Sequence, residues 1–321
     1  MIQVLMENAN NRVWFMIGIV VAFLASIIIT KFGAKFLPRD AGREFAVEGK
    51  KSAGKPRGAG LIFVCVFCIT SILFLPLSIE NVIYLILVMA AMLTGYLDDR
   101  SEKDWGRLLK GILDLIIAIM AAITVINFQG TTIQILSLGI EWQVPKILFG
   151  VLAVALVWCS INVTNCADGV DGLSGTLTLV TFGTMYIVDL LLQVRGTFSN
   201  QILIFSVCIL GYLWFNATPS KLMMGDAGSR AMGLFIALVM LKSTAPLLYI
   251  PAALVLILDG GLGLFKVSVI KVFRWKNFMD KIRTPLHDHV RKNWDWSNTQ
   301  TVYRFTIIQI ALGMLVVFLA M

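Results

Sequence analysis

Ten apolar segments run along this chain of 321 residues, and they constrain its fold more than any other feature. Their approximate bounds are 13–37, 59–78, 81–97, 107–128, 145–163, 173–192, 200–217, 228–244, 245–272 and 302–321. A helix needs about 20 apolar residues to cross the hydrocarbon core of a bilayer, and most of these segments are close to that length. Only 14% of the residues are charged, which excludes a soluble domain. We therefore expect a single all-α polytopic membrane domain, with about ten transmembrane helices, over residues 1–321.

Two stretches depart from the pattern of straight helices. The ninth segment is too long for one straight span, and LDGGLG (258–263) lies in its middle. Paired glycines beside Asp259 predict a break or sharp bend that lines a polar groove. Between the fourth and fifth segments, TTIQILSLGIEW (131–142) alternates polar and apolar residues, which predicts a short β-hairpin on the extracytoplasmic side.

Lysine and arginine are distributed unevenly between the two sides of the predicted bundle. Of the 27 basic residues, 23 fall in the connections on one side, which are 31–57, 100–110, 221–230 and 266–304. Basic connections are retained in the cytoplasm, so this side is predicted to be cytoplasmic. An even number of spans then places both termini on the other, extracytoplasmic side.

Four polar motifs fall on the predicted cytoplasmic side, in four separate connections. They are LDDRSEKD (97–104), NVTNCADGVDGL (162–173), MGDAGSR (224–230) and TPLHDHVRK (284–292). Charged groups beside a membrane are costly to place there and are usually functional. Because all four motifs meet one membrane face, the sequence predicts a single polar site at that face.

The residue types in these motifs indicate phosphoryl transfer at a membrane surface. Clustered carboxylates require a cation, and oxygen donors favour Mg²⁺ or Mn²⁺. The candidate carboxylates are Asp98, Asp99, Asp168, Asp171 and Asp226. The segment GKKSAGKPRGAG (49–60) supplies lysine, arginine and glycine, which suit phosphate groups. An acidic cluster, a divalent metal and a basic rim together favour transfer from a diphosphate.

Simpler interpretations exist for most of these motifs. Acidic pairs and GDAGS runs are also typical of helix caps, and a histidine pair is typical of an exposed loop. The 162–173 motif is different, because polar groups at steps of three spread over half the circumference of a continuous helix. Its glycines predict that the helix stops there and that the chain folds around a ligand. An anion transporter is the alternative class of protein, but the acids well inside the predicted spans are too few for a midplane site: Asp114, Asp189 and Asp259.

The motif at 162–173 resembles the N-x-x-N-x-x-D-G-x-D-G-L signature of the polyprenyl-phosphate N-acetylhexosamine-1-phosphate transferase superfamily. LDD, MGDAGS and TPLHDH resemble the other cytoplasmic motifs of that superfamily and occur in the same order. Within it, the TPLHDH run is most similar to the phospho-N-acetylmuramoyl-pentapeptide-transferase family.

That resemblance implies an Mg²⁺-dependent enzyme of peptidoglycan synthesis in the bacterial cytoplasmic membrane, with its active site facing the cytoplasm. Its substrates would be UDP-MurNAc-pentapeptide and undecaprenyl phosphate, and its products lipid I and UMP. No nucleic-acid partner is implied, and a homodimer is an assembly that the resemblance allows.

The resemblance also implies roles for individual residues. Asp226 would be the Mg²⁺ ligand, and the groups expected to take part in catalysis are Asp98, Asp99, Asp168 and His287. Asp98 and Asp99 would lie where the lipid phosphate enters, and His287 with His289 would contact the phosphates of the nucleotide sugar. The expected substrate-binding residues are Asn162, Asn165, Gly169, Asp171, Met223, His289, Lys51, Arg57 and Lys103. Of these, Asn165 and Asp171 would form part of a uridine pocket.

Three features depart from the family pattern. The usual triple histidine reads His287-Asp288-His289, and a lysine expected shortly after the acidic pair is displaced, with Lys103 as its nearest equivalent. The Pro56-Arg57 pair is more similar to the branch of the superfamily that transfers GlcNAc-1-phosphate. UDP-GlcNAc:undecaprenyl-phosphate transfer therefore stays open as an alternative activity.

Overall fold

The computed structural model describes residues 11–42, 52–101, 103, 105–194, 196–275 and 277–321. Helices α1 to α8 are Asn11–Gly33, Gly60–Phe74, Ile79–Arg100, Arg107–Phe128, Lys146–Ala167, Leu173–Leu191, Thr197–Asn216 and Gly225–Lys242. Helices α9 to α13 are Tyr249–Ala252, Leu254–Leu256, Leu262–Phe273, Leu286–Asn293 and Asn298–Ala320. A π-helix at Ile257–Gly261 joins α10 to α11, and 3₁₀ turns form at Ala34–Phe36, Leu136–Leu138 and Pro246–Leu248.

All ten apolar segments contain helix, but not all of these helices have the composition of a lone membrane span. Within the described residues, seven helices are long and apolar enough to cross a membrane: α1, α3, α4, α5, α6, α7 and α13. The bent pair at 246–273 makes an eighth if it is counted as one span. Helix α2 has only 15 residues, and α8 carries Asp226, Arg230 and Lys242. A mostly helical architecture with seven or eight candidate membrane spans is confirmed, while ten spans and the orientation of the termini stay predictions.

Helix α8 is the central helix of the bundle, because every residue from Gly225 to Leu241 is buried. Glycines on the surrounding helices let their backbones approach it closely. A Cβ at Gly60 of α2 would overlap the backbone of Gly228, and a Cβ at Gly95 of α3 would overlap that of Asp226. A helix that is buried on all sides is typical of the core of a large protein. Protein therefore surrounds the charged groups of α8.

Phenylalanine side chains pack around α8 and form much of the core. The rings of Phe67 and Phe205 stack at a centroid distance of 4.4 Å. Phe235 of α8 makes edge contacts with Phe205 at 5.0 Å and with Phe182 at 5.4 Å. Such aromatic pairs contribute about 0.5–1.5 kcal/mol each beyond the area they bury. The cluster joins α2, α6, α7 and α8 into one body.

The predicted hairpin is confirmed between α4 and α5. Strand β1 (Thr132–Ile135) pairs antiparallel with β2 (Ile140–Gln143), and Ile135 lies opposite Ile140. Gly139, which ends the connection, has φ +62°, a left-handed conformation that glycine adopts without strain.

The predicted break in the ninth segment is confirmed, but its sharpest point is not at the glycines. The chain bends by 71° between 246–252 and 254–273, so the turning point is Ala253. LDGGLG continues as the π-helix, and there Gly260 allows close packing on α5, because a Cβ would overlap the carbonyl of Val163. The backbone groups freed by the bend are satisfied by Gln309, which donates to Ala252 O and accepts from Val255 N at 3.0 Å. A buried break of this kind requires such partners.

The polar motifs meet at one end of this bundle. The C-termini of α3 and α5 and the N-termini of α4, α6 and α8 all lie there. The segment before α2 joins them through backbone pairing, in which Met223 N donates to Pro56 O at 2.8 Å and Ala59 N donates to Met223 O at 3.0 Å. We call this the site end of the bundle.

Candidate active site

Asp99 caps the N-terminus of the central helix α8. Its Oδ1 accepts from the backbone N–H of Asp226 and its Oδ2 from that of Ala227, both at 3.1 Å. The first N–H groups of a helix lack partners within the helix and carry partial positive charge, so a carboxylate stabilises them. Gly225 permits the contact, because it has φ +68° and a Cβ there would overlap the Asp99 carboxylate. Asp99 is therefore a cap, as the simpler interpretation proposed, but of a helix more than 120 residues further along the chain.

Arg57 lies between the carboxylates of this cluster. Its Nε is 2.8 Å from Asp99 Oδ1, and its Nη2 is 3.5 Å from Asp226 Oδ1. Its Nη1 is 3.4 Å from Asp40 Oδ1. The arginine predicted to bind substrate therefore lies in the acidic cluster, where it offsets the repulsion between Asp99 and Asp226.

Lys110 is a second cation of the cluster, and the sequence interpretation missed it. Its Nζ contacts Asp98 Oδ2 and lies 3.3 Å from Asp226 Oδ2. The other oxygen of Asp98 accepts from Trp105 N at 2.7 Å. Lys103, the predicted equivalent, is exposed on the α3–α4 connection. One sequence feature could have indicated Lys110: it lies in the first turn of α4, directly after the connection that follows the acidic pair.

The two asparagines of the 162–173 motif bind carboxylates on other helices. Asn165 hydrogen-bonds the side chain of Asp226. Asn162 Nδ2 donates to Asp114 Oδ2 at 3.3 Å, and the other oxygen of Asp114 forms a buried ion pair with Arg230. Asp114 and Arg230 thus form a second charged layer beneath the cluster, which the sequence interpretation did not assign to the site.

The helix stops inside the 162–173 motif, as its glycines predicted. Helix α5 ends at Ala167, and α6 begins at Leu173 after Gly172, which has φ +82°. In the turn, Asp168 Oδ1 accepts from Ser174 Oγ at 3.2 Å. Asp171 Oδ2 accepts from Ser220 N at 3.1 Å and lies 3.9 Å from Lys55 Nζ. The two aspartates therefore face different neighbours.

His287 is buried against the same turn. Its Nδ1 is 2.8 Å from Asp259 Oδ2, and a Cβ at Gly169 would overlap its Nε2. Burial alone would lower the pKa of His287, but the charge and hydrogen bond of Asp259 together with the charge of Asp288 outweigh burial, so the pKa is raised above its ordinary value. His289 is half-buried, with Nδ1 accepting from Arg283 N at 3.2 Å and its ring against Trp294 at 5.7 Å.

The structure thus brings six of the fourteen predicted residues together at the start of α8. Asp98, Asp99, Asp226, Arg57 and Asn165 form the cluster at the start of α8. Half-buried Met223 joins it by backbone pairing. Lys51 lies outside the described residues.

Comparison with known proteins agrees with this geometry. Residues 81–244, which are half of the chain, match the model of a family described as glycosyl transferase family 4. The chain belongs to glycosyl transferase family 4. The matched residues include α4 to α8 and all but the first two residues of α3, and hence each carboxylate of the cluster at the start of α8.

Curated relatives carry the name phospho-N-acetylmuramoyl-pentapeptide-transferase. One from Treponema pallidum is 38% identical over 299 residues, covering 86% of this chain and 80% of the relative. One from Dictyoglomus turgidum is 29% identical, with 90% and 93% covered, and one from Oceanobacillus iheyensis is 27% identical, with 95% and 97% covered. This member of glycosyl transferase family 4 is thus a multi-pass bacterial membrane transferase of peptidoglycan synthesis.

The oxygen ligands available at this site suit a hard divalent cation. Three carboxylates face two cations, and the amide of Asn165 adds a neutral partner to Asp226. Among the described residues, no three acidic, histidine or cysteine side chains converge as a preformed metal site. Mg²⁺ is commonly held by one or two carboxylates with substrate phosphates. The residues present therefore fit an ion that is completed by a bound diphosphate.

Proposed function

We propose that this chain transfers phospho-MurNAc-pentapeptide from UDP-MurNAc-pentapeptide to undecaprenyl phosphate, forming lipid I and releasing UMP. The observation that carries the proposal is the cluster of Asp98, Asp99 and Asp226 with Arg57 and Lys110 at the start of α8. A fully buried helix presents it at the bundle end where the basic connections gather. The reaction needs this combination, because anionic donor and acceptor must be brought together and charge moves onto the leaving UMP.

In this proposal, an oxygen of undecaprenyl phosphate becomes bonded to the phosphorus next to the sugar, and the bond from that phosphorus to UMP breaks. Arg57 and Lys110 offset the negative charge of the two substrates. Asp98 and Asp99 lie at the acceptor phosphate, and one of them takes its proton. Asp168, at the turn after α5, is the third carboxylate proposed to act there.

Asp226 would hold Mg²⁺, which supplies neutralisation of the diphosphate charge when bound. Asn165 hydrogen-bonds Asp226, so it would orient this ligand as well as line the uridine pocket with Asp171 and Gly169. His287 and His289 would contact the phosphates of the donor, and Asn162 would support Asp114 beneath them.

The polyprenyl chain would approach along the bent segment α9–α11. Helix α11 exposes large apolar side chains, among them Phe265, Val272 and Phe273. Exposed apolar residues on a helix that leads from the bilayer to the site suit a lipid tail. The acceptor would thus reach the carboxylates without leaving the membrane.

The testing experiment measures UMP release by purified protein with undecaprenyl phosphate and Mg²⁺. UDP-MurNAc-pentapeptide should support release and UDP-GlcNAc should not. Transfer from UDP-GlcNAc is worth testing, because the Pro56-Arg57 pair is similar to the branch that transfers GlcNAc-1-phosphate and Arg57 lies within the acidic cluster. Release from UDP-GlcNAc alone would replace the proposed donor, and no release from either would overturn the function.

A labelling experiment tests whether the site end faces the cytoplasm. In a variant without the five native cysteines, Ala53→Cys reports the site end and Ser137→Cys reports the hairpin; both positions are exposed. A membrane-impermeant thiol reagent should label Ser137→Cys in intact cells and Ala53→Cys only after the membrane is opened. The reverse pattern would place the site away from cytosolic UDP-sugars.

A further inference from the structure

Asp259 is a fully buried carboxylate in the π-helix, away from the cluster at the start of α8. Its Oδ1 accepts from His287 N at 2.7 Å, and its Oδ2 lies 2.8 Å from His287 Nδ1. A buried carboxylate is costly unless it is paired and hydrogen-bonded. Both oxygens meet that requirement through one residue, His287.

Asp259 therefore holds the ring of His287 through one nitrogen, and the other nitrogen points away from Asp259. Nδ1 faces Asp259, and Nε2 faces Gly169 in the turn that also carries Asp168. A side chain at residue 169 would occupy the place of the imidazole, so glycine is required there for the ring to approach. Asp288 Oδ1 is 3.9 Å from Nε2.

We propose that Asp259 is a positioning residue, which accepts a hydrogen bond from Nδ1–H of His287 and orients the imidazolium so that its Nε2–H donates to a phosphate of the nucleotide-sugar donor. The identity of that phosphate rests on the proposed function. A carboxylate that accepts from Nδ1 selects the ring orientation and the tautomer, and it balances the charge when both nitrogens carry protons. A second hydrogen bond, from His287 N, anchors the first turn of α12 on the π-helix.

Asp259→Asn tests the ring contact with little change in shape. The amide oxygen can still accept from His287 N, while the amide NH₂ then faces Nδ1 and makes it an acceptor. The proton of the neutral ring is expected to move to Nε2. Nitrogen NMR on protein labelled at histidine reads this directly, because the chain has only two histidines and His289→Gln assigns the signals.

In the wild-type chain Nδ1 of His287 should be protonated at neutral pH, and in Asp259→Asn it should lose that proton. An unprotonated Nδ1 in the wild-type chain would overturn the proposal, whether or not any variant folds. This NMR measurement does not depend on turnover. The proposed role of Asp259 can therefore fail while the proposed function stands, and the reverse.

A double-mutant cycle separates positioning from support of the fold. Asp259→Asn should lower kcat by about 10- to 100-fold, as loss of an orienting partner of a histidine typically does. In the background of His287→Ala the same change should lower kcat no further, because only the backbone contact is left. Equal losses in both backgrounds would show that Asp259 acts through the fold alone.

The matched control is Asp189→Asn. Asp189 is also buried, but it accepts from Ser199 Oγ at 2.7 Å and lies on α6 at the other end of the bundle. Asp189→Asn should change kcat by less than about 3-fold and leave the protonation of His287 unchanged, because substitutions at distant sites usually have independent effects. A control that moved the His287 signal would overturn the assignment of the effect to Asp259.

Discussion

Helix α8 meets three carboxylates and two cations at its N-terminus, but a single ion pair at its C-terminus. At that second end, Lys242 Nζ lies 2.7 Å from Glu80 Oε1, which also accepts from Tyr84 Oη at 2.9 Å. Gln129 Nε2 donates to the carbonyl of Leu241 at 2.9 Å. Lys242 also attracts the buried carboxylate of Asp189, and it lies where the helix dipole favours a cation.

The N-terminal end holds a denser group of charges. Asp98, Asp99 and Asp226 share Arg57 and Lys110, so negative charge exceeds positive charge in a buried place. An arrangement that served stability alone would not keep this excess, because buried charge that is not fully balanced is destabilising. The excess at the N-terminal end therefore supports the proposal that this end binds a further cation and anionic substrates, whereas the C-terminal end holds the helix in place.

The largest effect is expected from removing one charge at the N-terminal end. Asp226→Asn should lower kcat by at least about 10³-fold, because a divalent ion loses its ligand. Glu80→Gln is the matched control at the C-terminal end and should change kcat by less than about 3-fold. UMP release at saturating Mg²⁺ measures both. Near-normal turnover by Asp226→Asn would remove this residue from the proposed chemistry.

The histidine motif gives the next largest effect. His287→Ala should lower kcat by about 100-fold, which is typical of losing one donor to a charged reacting group. Asp288→Ala should cost less than about 5-fold, because an ionised carboxylate cannot donate to phosphate. Steady-state kinetics on both variants makes the comparison. If Asp288→Ala proved the worse of the two, the role of this loop would have to be reassigned.

Two lysines, one at each end of α8, test the contrast between the ends directly. Lys110→Met should lower kcat by roughly 10- to 100-fold, since the anionic groups it contacts then repel the substrates. Lys242→Met should leave kcat nearly unchanged but lower stability by about 1–3 kcal/mol, because Glu80 loses its cation and keeps only the hydrogen bond from Tyr84. Thermal unfolding and UMP release distinguish the outcomes. A catalytic loss in Lys242→Met would mean that the two ends are not functionally distinct.

The smallest effect concerns pH. Burial and Arg291 lower the pKa of His287, whereas Asp259 and Asp288 raise it, and the net result is a raised pKa in the folded chain. The stabilisation from protonated His287 is therefore fully present below its unfolded pKa of about 6.5 and is lost as pH rises through the folded value.

The apparent Tm of the wild-type chain should exceed that of Asp259→Asn most at about pH 6 and least at about pH 9, with a change of no more than about 4 °C. Melting curves of both proteins across this range measure the gap. A gap that widened with pH would contradict the charge state assigned to the pair.

Local pattern was sufficient to predict much of the fold. Apolar length predicted the helices, alternation in 131–142 predicted the hairpin, and Gly169 with Gly172 predicted the end of α5. These features depend on a few neighbouring residues. The bend at Ala253 could not be located in this way, because it depends on Gln309 of another helix to satisfy the freed backbone groups.

The sequence alone could not predict the partners of the charged residues. Lys110 rather than Lys103 contacts the acidic pair, because the start of α4 turns the former inward and the connection leaves the latter exposed. Asp99 caps a helix far along the chain, and Asp259 pairs with His287 across a long connection. Such contacts depend on the rotation and depth of whole helices.

Residue types over short windows were enough to establish that this chain enters a membrane and to predict which motifs carry its chemistry. They could not establish that α8 is buried on every side, or that its N-terminus gathers three carboxylates with Arg57 and Lys110. Those features follow only from the packing of the helices in three dimensions. Gly60 and Gly95 admit the backbone of α8, and only that close approach brings the separate motifs within hydrogen-bonding distance.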